Sequence, residues 1–425
     1  MQLRLPQSTD ITQKKVLVRV DFNVPIEQKD GQVVVTDERR LAAAVKTVQF
    51  LAENHARVIL LSHLGRPEGK VSSEFSLAPI GEAFSKLIGQ PVTFVHDCVG
   101  EVAMQAVAAL QPGQVLLLEN LRFHPEEEAN DPDFAKSLAS LGEAFVNEAF
   151  STCHRAHAST EGVTHYLPSF AGFSLVEEVK ALTAVAENPQ RPLVVVIGGA
   201  KISDKVEAVV NLAHQADIVL TGGGVANNFL KAEGLEIHKS YLQDAPADLK
   251  KKGIDYVHVA GDLLQETKTS HIWLQDYIPL PKILYPLDVV AAPSMDSTET
   301  QVIDLTHDAQ DTPNDKELMY LDIGPKTIHL YQEIIKTART VFWNGPMGVF
   351  EKPQFGTGTQ QIAQAISDMT GTAQTIIGGG DTIAGADQFG LSERFSYVST
   401  AGGAALELLA GKELPGLKPL IATSN

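Results

Sequence analysis

Val194-Val195-Val196-Ile197-Gly198-Gly199-Ala200-Lys201 is an unbroken apolar run that stops abruptly in glycine and lysine. Such a run, without polar alternation, predicts a strand buried on both faces, as in a parallel sheet covered by helices. The same ending recurs at Ile218-Val219-Leu220-Thr221-Gly222-Gly223-Gly224, Val341-Phe342-Trp343-Asn344-Gly345-Pro346 and Ile376-Ile377-Gly378-Gly379-Gly380-Asp381. In the first half, comparable runs end in basic residues instead. They are Val16-Leu17-Val18-Arg19-Val20-Asp21-Phe22-Asn23, Val58-Ile59-Leu60-Leu61-Ser62-His63-Leu64-Gly65-Arg66, Leu116-Leu117-Leu118-Glu119-Asn120-Leu121-Arg122 and Ala149-Phe150-Ser151-Thr152-Cys153-His154-Arg155. Ligands of open α/β sheets sit at the carboxyl ends of strands. The first half is therefore expected to hold a small polyanion by side chains. The second is expected to hold phosphates by backbone N–H groups at helix starts.

Apolar runs alternate with helical patterns through most of the chain, which predicts an α/β protein with parallel sheets flanked by helices. Helices are expected over Ala42 to Glu53, Ala78 to Leu87 and Asp133 to Leu141. A length of 425 residues fits two domains. The boundary is expected between Phe173 and Pro192, where Ser174 to Leu182 reads as a capped helix that Asn188-Pro189 stops. Residues 232–317 are less patterned: Pro279-Leu280-Pro281 and Tyr285-Pro286 mark loops around one clear strand, Leu287-Asp288-Val289-Val290, while Lys250-Lys251-Lys252 reads as a solvated face and residues 308–315 as an acidic turn.

A net charge of −18 argues against non-specific nucleic-acid binding. It leaves an anionic substrate open, because local arginines outweigh the distant field within a Debye length. The two cysteines, Cys98 and Cys153, stand at no metal spacing and suit a reducing cytosol. The first residues show no signal-type apolar core, and no apolar run reaches membrane-span length, so a cytoplasmic protein without a membrane partner is expected.

Arg19, Arg40, Arg66, Arg122 and Arg155, joined by His63, His154 and His157, fall at strand ends or loops of one half. A lone arginine is more often a surface charge. Five in equivalent places point to one anion site, since the planar guanidinium matches carboxylate and phosphate. Asp21 and Asn23 among them are placed to orient a substrate hydroxyl. In the second half, Lys201 and Lys205 lie one turn apart near a helix N-terminus, where the dipole disfavours cations unless an anion is bound. Asp381 at another helix start could complete a Mg²⁺ site with phosphate oxygens, or be a plain cap. No Gly-x-Gly-x-x-Gly follows a strand, and Gly65 to Val71 falls one residue short of a P-loop. No nucleophile elbow is present.

These motifs together resemble the phosphoglycerate kinase family nearly end to end. The resemblance rests on Arg19-Val20-Asp21-Phe22-Asn23-Val24-Pro25, Ser62-His63-Leu64-Gly65-Arg66-Pro67, Glu119-Asn120-Leu121-Arg122-Phe123 and His154-Arg155-Ala156-His157 in the first half. In the second it rests on Gly198-Gly199-Ala200-Lys201 with Asp204-Lys205, Trp343-Asn344-Gly345-Pro346 and Gly379-Gly380-Asp381-Thr382. It implies two Rossmann-like domains facing across a cleft: residues 1–173 binding 3-phosphoglycerate, a hinge helix at 174–189, a nucleotide domain at 190–404, and a tail from 405 to 425 returning to the first domain. It implies phosphoryl transfer between 1,3-bisphosphoglycerate and ADP, giving 3-phosphoglycerate and ATP, in glycolysis or carbon fixation, by a monomer whose hinge closes.

By this similarity the glycerate substrate is held by Asp21, Phe22, Asn23, Arg40, His63, Leu64, Gly65, Arg66, Arg122 and Arg155. Arg40, Lys201, Gly379 and Gly402 serve the transferring phosphoryl. The nucleotide takes Lys201, Lys205, Gly223, Gly224, Tyr320, Asn344, Pro346, Glu351, Gly379, Gly380, Asp381 and Thr382, with Asp381 on Mg²⁺. A catalytically silent relative acting as a scaffold is the alternative; loss of Lys201, Arg40 or Asp381 would favour it, and all three are present.

The chain departs from the family pattern in three places. Tyr320 stands where glycine is usual, near the expected nucleotide base, and is expected to stack, to narrow the pocket or to point away. Ala401 replaces the first glycine of the last glycine-rich turn. The stretch from about Gly234 to Ile283 is long and is expected to decorate the second domain or form an oligomer contact.

Overall fold

The apolar runs fold as two parallel six-stranded sheets. The computed structural model describes residues 1–29, 32–201, 206–243, 255–267, 273–274, 278–306 and 317–422. Lys205, the lysine run at 250–252 and the acidic turn at 308–315 lie outside them. The chain divides into two units, residues 1–180 with 413 onward, and residues 181–412.

The first unit contains β1 (Lys15–Arg19), β2 (Ile26–Lys29), β3 (Gln32–Val35), β4 (Arg57–Leu61), β5 (Val92–Val95), β6 (Val115–Leu118), β7 (Ala144–Asn147) and β8 (Ser169–Ala171). β2 and β3 form an antiparallel hairpin, and the rest make one sheet in the order β5-β6-β4-β1-β7-β8. Successive side chains go to opposite faces. Val16, Val18, Val58 and Leu60 thus join one core with helices Arg39–Glu53 and Ala78–Ile88. Leu17, Ile59 and Leu61 join another with Ala103, Val107, Phe134 and Leu138. That two-sided burial is why these strands read as continuous apolar runs. β7 ends at Asn147, earlier than the run at Ala149 suggests; Phe150–Thr152 is a short 3₁₀ turn.

The second unit contains β9 (Leu193–Ile197), β10 (Ile218–Thr221), β11 (Trp273–Leu274), β12 (Ile278–Pro279), β13 (Ile283–Leu284), β14 (Asp288–Ala292), β15 (Gln301–Asp304), β16 (Met319–Ile323), β17 (Thr340–Asn344), β18 (Gln374–Gly378) and β19 (Tyr397–Ser399). Its main sheet runs β13-β10-β9-β17-β18-β19, the strand order of doubly wound nucleotide folds. The order reverses between β9 and β17, so a ligand crevice is expected at their carboxyl ends. β15-β14-β16 is a separate antiparallel sheet. Short strand β12 ends on Pro279, the first residue of one segment read as loop, and β13 lies between the two loop segments.

The chain end differs from the expected tail. Helix Gly403–Leu409 packs on helix Val206–Gln215, with Asn211 Nδ2 donating to the Leu409 carbonyl. The return to the first unit starts at Glu413. There Gly416 N–H donates to Cys153 O at 2.9 Å, Arg4 N–H to Leu420 O at 2.9 Å and Ala422 N–H to Gln2 O at 2.9 Å.

Glu148, just beyond β7, is buried at the start of helix Phe173–Ala186. It accepts from Thr47 Oγ1 at 2.7 Å, Ser174 N at 3.0 Å and Leu175 N at 3.3 Å. Burial pushes its carboxyl up to about 7, against the pull of those donors. Between the ordinary glutamate value of 4.5 and about 7, the folded state binds this proton more tightly than the unfolded chain. Stability contributed by the group therefore falls as pH rises through that window. Glu148→Gln is expected to flatten the fall by about 1–3 kcal/mol, measured by urea melts at pH 5 and 7.5; parallel curves for both proteins would contradict it.

Candidate functional site

In the first unit the polar residues follow the carboxyl ends of β1, β4, β6 and β7. Arg40 sits in the first turn of helix Arg39–Glu53. Its Nη1 lies 3.0 Å from Asp21 Oδ2 and donates to Asn23 O at 2.9 Å. Ser151 Oγ donates to the same Asp21 oxygen at 2.6 Å, which ties the ends of β1 and β7 together. Asn23 Oδ1 accepts from Gly65 N at 2.9 Å, and Gly65 O accepts from Arg122 Nη1 at 2.8 Å. Gly65 has φ +62°, and a Cβ there would lie 2.4 Å from the Phe75 ring, so this turn needs glycine. Asn120 holds the other side, donating to Leu64 O at 2.8 Å and Phe75 O at 2.9 Å. Arg122 pairs with Glu128 at 3.1 Å; Arg66 and Arg155 are exposed, and Arg155 Nε donates to His154 Nε2 at 3.1 Å.

Several expected members occupy other places. Arg19 is only 1% exposed and holds Ser159 and His63 rather than open surface. Phe22 and Leu64 are core residues that can offer a ligand only backbone groups. Burial and the neighbouring guanidinium of Arg19 hold His63 well below 6.5 and bring His157 down to about 4. Both are neutral near pH 7, so the positive charge expected of this set comes from its arginines. Beneath them Glu127 is buried, which raises its carboxyl, and accepts from Ser159 Oγ at 2.6 Å and Ser159 N at 2.9 Å.

In the second unit the β9 and β17 ends interlock through backbone. Gly198 N–H donates to Asn344 O at 3.0 Å and Gly199 N–H to Pro346 O at 2.7 Å. A cavity of about 430 Å³ opens here, bordered by Gly199, Ala200, Lys201, Gly223, Gly224, Tyr320, Pro346, Glu351 and Asp381. Gly223 begins helix Gly223–Ala232 at φ +56°, and a Cβ on Gly224 would meet Ala200 O at 2.4 Å. Helix Gly380–Gln388 starts behind Gly379 at φ +97°; a Cβ on Gly380 meets nothing within 4 Å, leaving open space before that helix start. Asp381 is exposed in its first turn, with no hydrogen bond or ion pair among the described residues.

Thr382 and Asn344 face inward. Thr382 Oγ1 donates to Gly378 O at 2.7 Å and accepts from Gly345 N at 2.6 Å. Asn344 Nδ2 donates to Gly378 O at 2.8 Å, and its buried Oδ1 has no partner among the described residues. These side chains brace β17 against β18.

Tyr320 borders the cavity with its hydroxyl anchored elsewhere. The OH donates to Glu236 O at 2.8 Å, and the ring packs with Leu230, Ile237 and Val289. Burial raises the phenol to about 12. Sequence reasoning missed the apolar wall: Tyr241, Met295, Met319, Leu321, Val349 and Phe350. They come from separate loops and strands with no local motif; an exposed tyrosine and methionine, Tyr241 and Met295, are visible as such only after folding.

At the last glycine-rich turn the left-handed residue is Gly402, at φ +56°, whereas Ala401 keeps a negative φ. The alanine therefore carries no strain. Ala401→Gly is expected to change turnover by less than threefold, roughly the cost of added backbone freedom; a tenfold rise in a steady-state assay would contradict this.

Outside both sites, Asp97, Cys98 and His124 lie close together. His124 Nε2 is 2.9 Å from Asp97 Oδ1, and Cys98 is part of the apolar core. No helix among the described residues is long and apolar enough to cross a membrane.

Residues 7–412 match the sequence profile of the family described as phosphoglycerate kinase. The phosphoglycerate kinase of Pelodictyon phaeoclathratiforme is 45% identical over 422 residues, covering 99% of this chain and 100% of that one. That of Moorella thermoacetica is 46% identical over 411 residues, covering 97% of each. The solved structure of phosphoglycerate kinase from Coxiella burnetii matches with a TM-score of 0.80 at 38% identity, covering 97% of both chains. With its fold, motifs and length all shared, the chain belongs to the phosphoglycerate kinase family.

Proposed function

We propose that this chain transfers a phosphoryl group reversibly from 1,3-bisphosphoglycerate to ADP, giving 3-phosphoglycerate and ATP. The observation that carries this reading is the second unit's cavity at the β9/β17 reversal, with glycine-opened helix starts, Lys201 and Asp381, unpartnered among the described residues, around it. In the ATP-forming direction a β-phosphate oxygen of ADP attacks the acyl phosphorus, and the bond from phosphorus to the carboxylate oxygen breaks. In reverse, the ionised carboxylate of 3-phosphoglycerate attacks the γ-phosphorus. Neither direction needs a general base, which agrees with neutral His63 and His157. The protein's work is positioning and charge stabilisation.

In this reading Arg122, Arg66 and Arg155 hold the substrate's phosphate and carboxylate charge, Asp21 and Asn23 orient its hydroxyl, and Arg40 meets the transferring group. Lys201 meets that group from the nucleotide side, and Gly379, Gly380 and Gly402 present backbone N–H groups. Asp381 fits a divalent cation: a lone carboxylate facing open space leaves the remaining positions to phosphate oxygens. Bound Mg²⁺ would supply neutralisation of phosphate charge. Transfer also requires the two units to close and exclude water. We place the enzyme in the cytoplasm as a monomer, in glycolysis or carbon fixation; its two buried free thiols suit a reducing compartment.

Equilibrium titration tests the division of labour. Arg122→Ala is expected to weaken 3-phosphoglycerate binding at least about tenfold, the cost of a charged hydrogen bond, with ADP affinity unchanged. Asp381→Asn is expected to abolish the Mg²⁺ dependence of ADP binding, with 3-phosphoglycerate unaffected. Small-angle scattering should show compaction, and a monomer mass, with both substrates bound. Crossed effects, a dimer mass or no compaction would each contradict the corresponding part.

A further inference from the structure

The basic site contains a histidine whose protonation is dictated from below. His63 is buried at the end of β4, with Nδ1 2.9 Å from Arg19 Nη2. A guanidinium has donors only. Nδ1 must therefore accept, which places the ring proton on Nε2. The opposite tautomer, or an imidazolium, would set two N–H groups against each other at that distance.

Arg19 has no freedom to turn away. It is fully buried, its Nη1 donates to Val20 O, and its Nε donates to Ser159 Oγ at 2.9 Å. Ser159 Oγ in turn donates a hydrogen bond to Glu127 Oε1 at 2.6 Å, and Ser159 N–H donates to the second Glu127 oxygen at 2.9 Å. Each donor in the chain from His63 to Glu127 has one compatible direction. The charged groups acting on His63 are Arg19, Arg122 and Arg40, and His157 beside them is neutral, so none favours an added proton.

We propose that Arg19 is a positioning residue that fixes His63 as the neutral Nε2–H tautomer, so that His63 offers the anion site a hydrogen-bond donor that never titrates. The consequence for 3-phosphoglycerate rests on the function proposed above; the tautomer does not. A donor without charge leaves hydroxyl and carboxylate oxygens recognised by direction, while the arginines supply the charge. Substrate binding through His63 should then stay constant across neutral pH, although free histidine titrates near 6.5.

Long-range ¹H–¹⁵N correlation of the full chain labelled at histidine, with His63→Asn for assignment, reads the tautomer without substrate or turnover. The expected His63 pattern is protonated Nε2 and bare Nδ1, unchanged from about pH 5.5 to 8, the range that brackets ordinary histidine titration. A protonated Nδ1, or titration near 6.5, overturns the proposal even if Arg19 variants fail to fold. In folded Arg19→Met, His63 should show mixed tautomers. KM for 3-phosphoglycerate should rise about tenfold, the loss of one hydrogen bond, with kcat less affected. Arg19→Lys, also donor-only, should restore the wild-type tautomer. An Nε2–H signature that survives Arg19→Met, or a KM unmoved by that change, overturns the positioning role.

Discussion

Arg40→Ala is expected to lower kcat about a thousandfold, the scale of removing an arginine that stabilises a transferring phosphoryl group. The size follows from how Arg40 is held. Nη1 is shared between the Asp21 carboxylate and the Asn23 carbonyl, so the guanidinium plane is set before substrate arrives. Asp21 is itself fixed by Ser151 from the β7 end. A preset donor costs no reorganisation in the transition state, which is where its strength lies. Arg40→Lys should recover little, because one ammonium cannot reproduce a planar fork. Single-turnover measurements at saturating substrates isolate the step. A kcat within tenfold of wild type would mean that Arg40 only anchors Asp21 and Asn23.

Gly198→Ala should damage the other half as severely. A Cβ at this position would lie 2.1 Å from Pro346 O, 2.8 Å from Gly345 O and 2.6 Å from Met347 Cε. The methionine tip can move. The two carbonyls cannot, because Pro346 O accepts from Gly199 N–H across the reversal of strand order and Gly345 O accepts from the buried Trp343 Nε1 at 2.8 Å. Relief requires β9 and β17 to part where the cavity forms. Overpacking against backbone is expected to cost about 3 kcal/mol, lowering Tm by roughly 6–12 °C for a unit of this size. ADP affinity should fall about a hundredfold, on the scale of that same free-energy loss, with 3-phosphoglycerate binding retained. Unchanged melting and ADP affinity would show that the crevice tolerates a methyl group.

The strands were legible because each sheet is covered on both faces. Val194 to Ile197 and Val58 to Leu61 need apolar side chains both up and down, and an unbroken run announces that. Strand order was not legible, since nothing local records that β17 lies beside β9. The antiparallel sheet was half seen: Asp288 to Ala292 carries an apolar run, but Gln301–Asp304 is an edge strand with exposed positions and looks like loop. Glycine ends were readable because positive φ at Gly379 and Gly402 demands that residue.

Charge at the basic site was less legible. Arg19 looks like Arg40 in a sequence, yet one is buried under the site and the other lies within it. His63 and His157 look cationic beside arginines, yet burial among those arginines keeps them neutral. Burial is a product of the whole fold, so residue type alone does not record these differences. Tyr320 is the reverse case: its position by the cavity was foreseen, and its hydroxyl anchor on Glu236 O, remote in sequence, was not.

The most direct test is a coupled assay of ATP-dependent phosphorylation of 3-phosphoglycerate, with and without Mg²⁺, beside Lys201→Ala. Rapid turnover that requires Mg²⁺ and is lost in the lysine variant is the predicted result. Folded protein that binds neither substrate, or turnover that survives loss of Lys201, would contradict the assignment of transfer to these two sites.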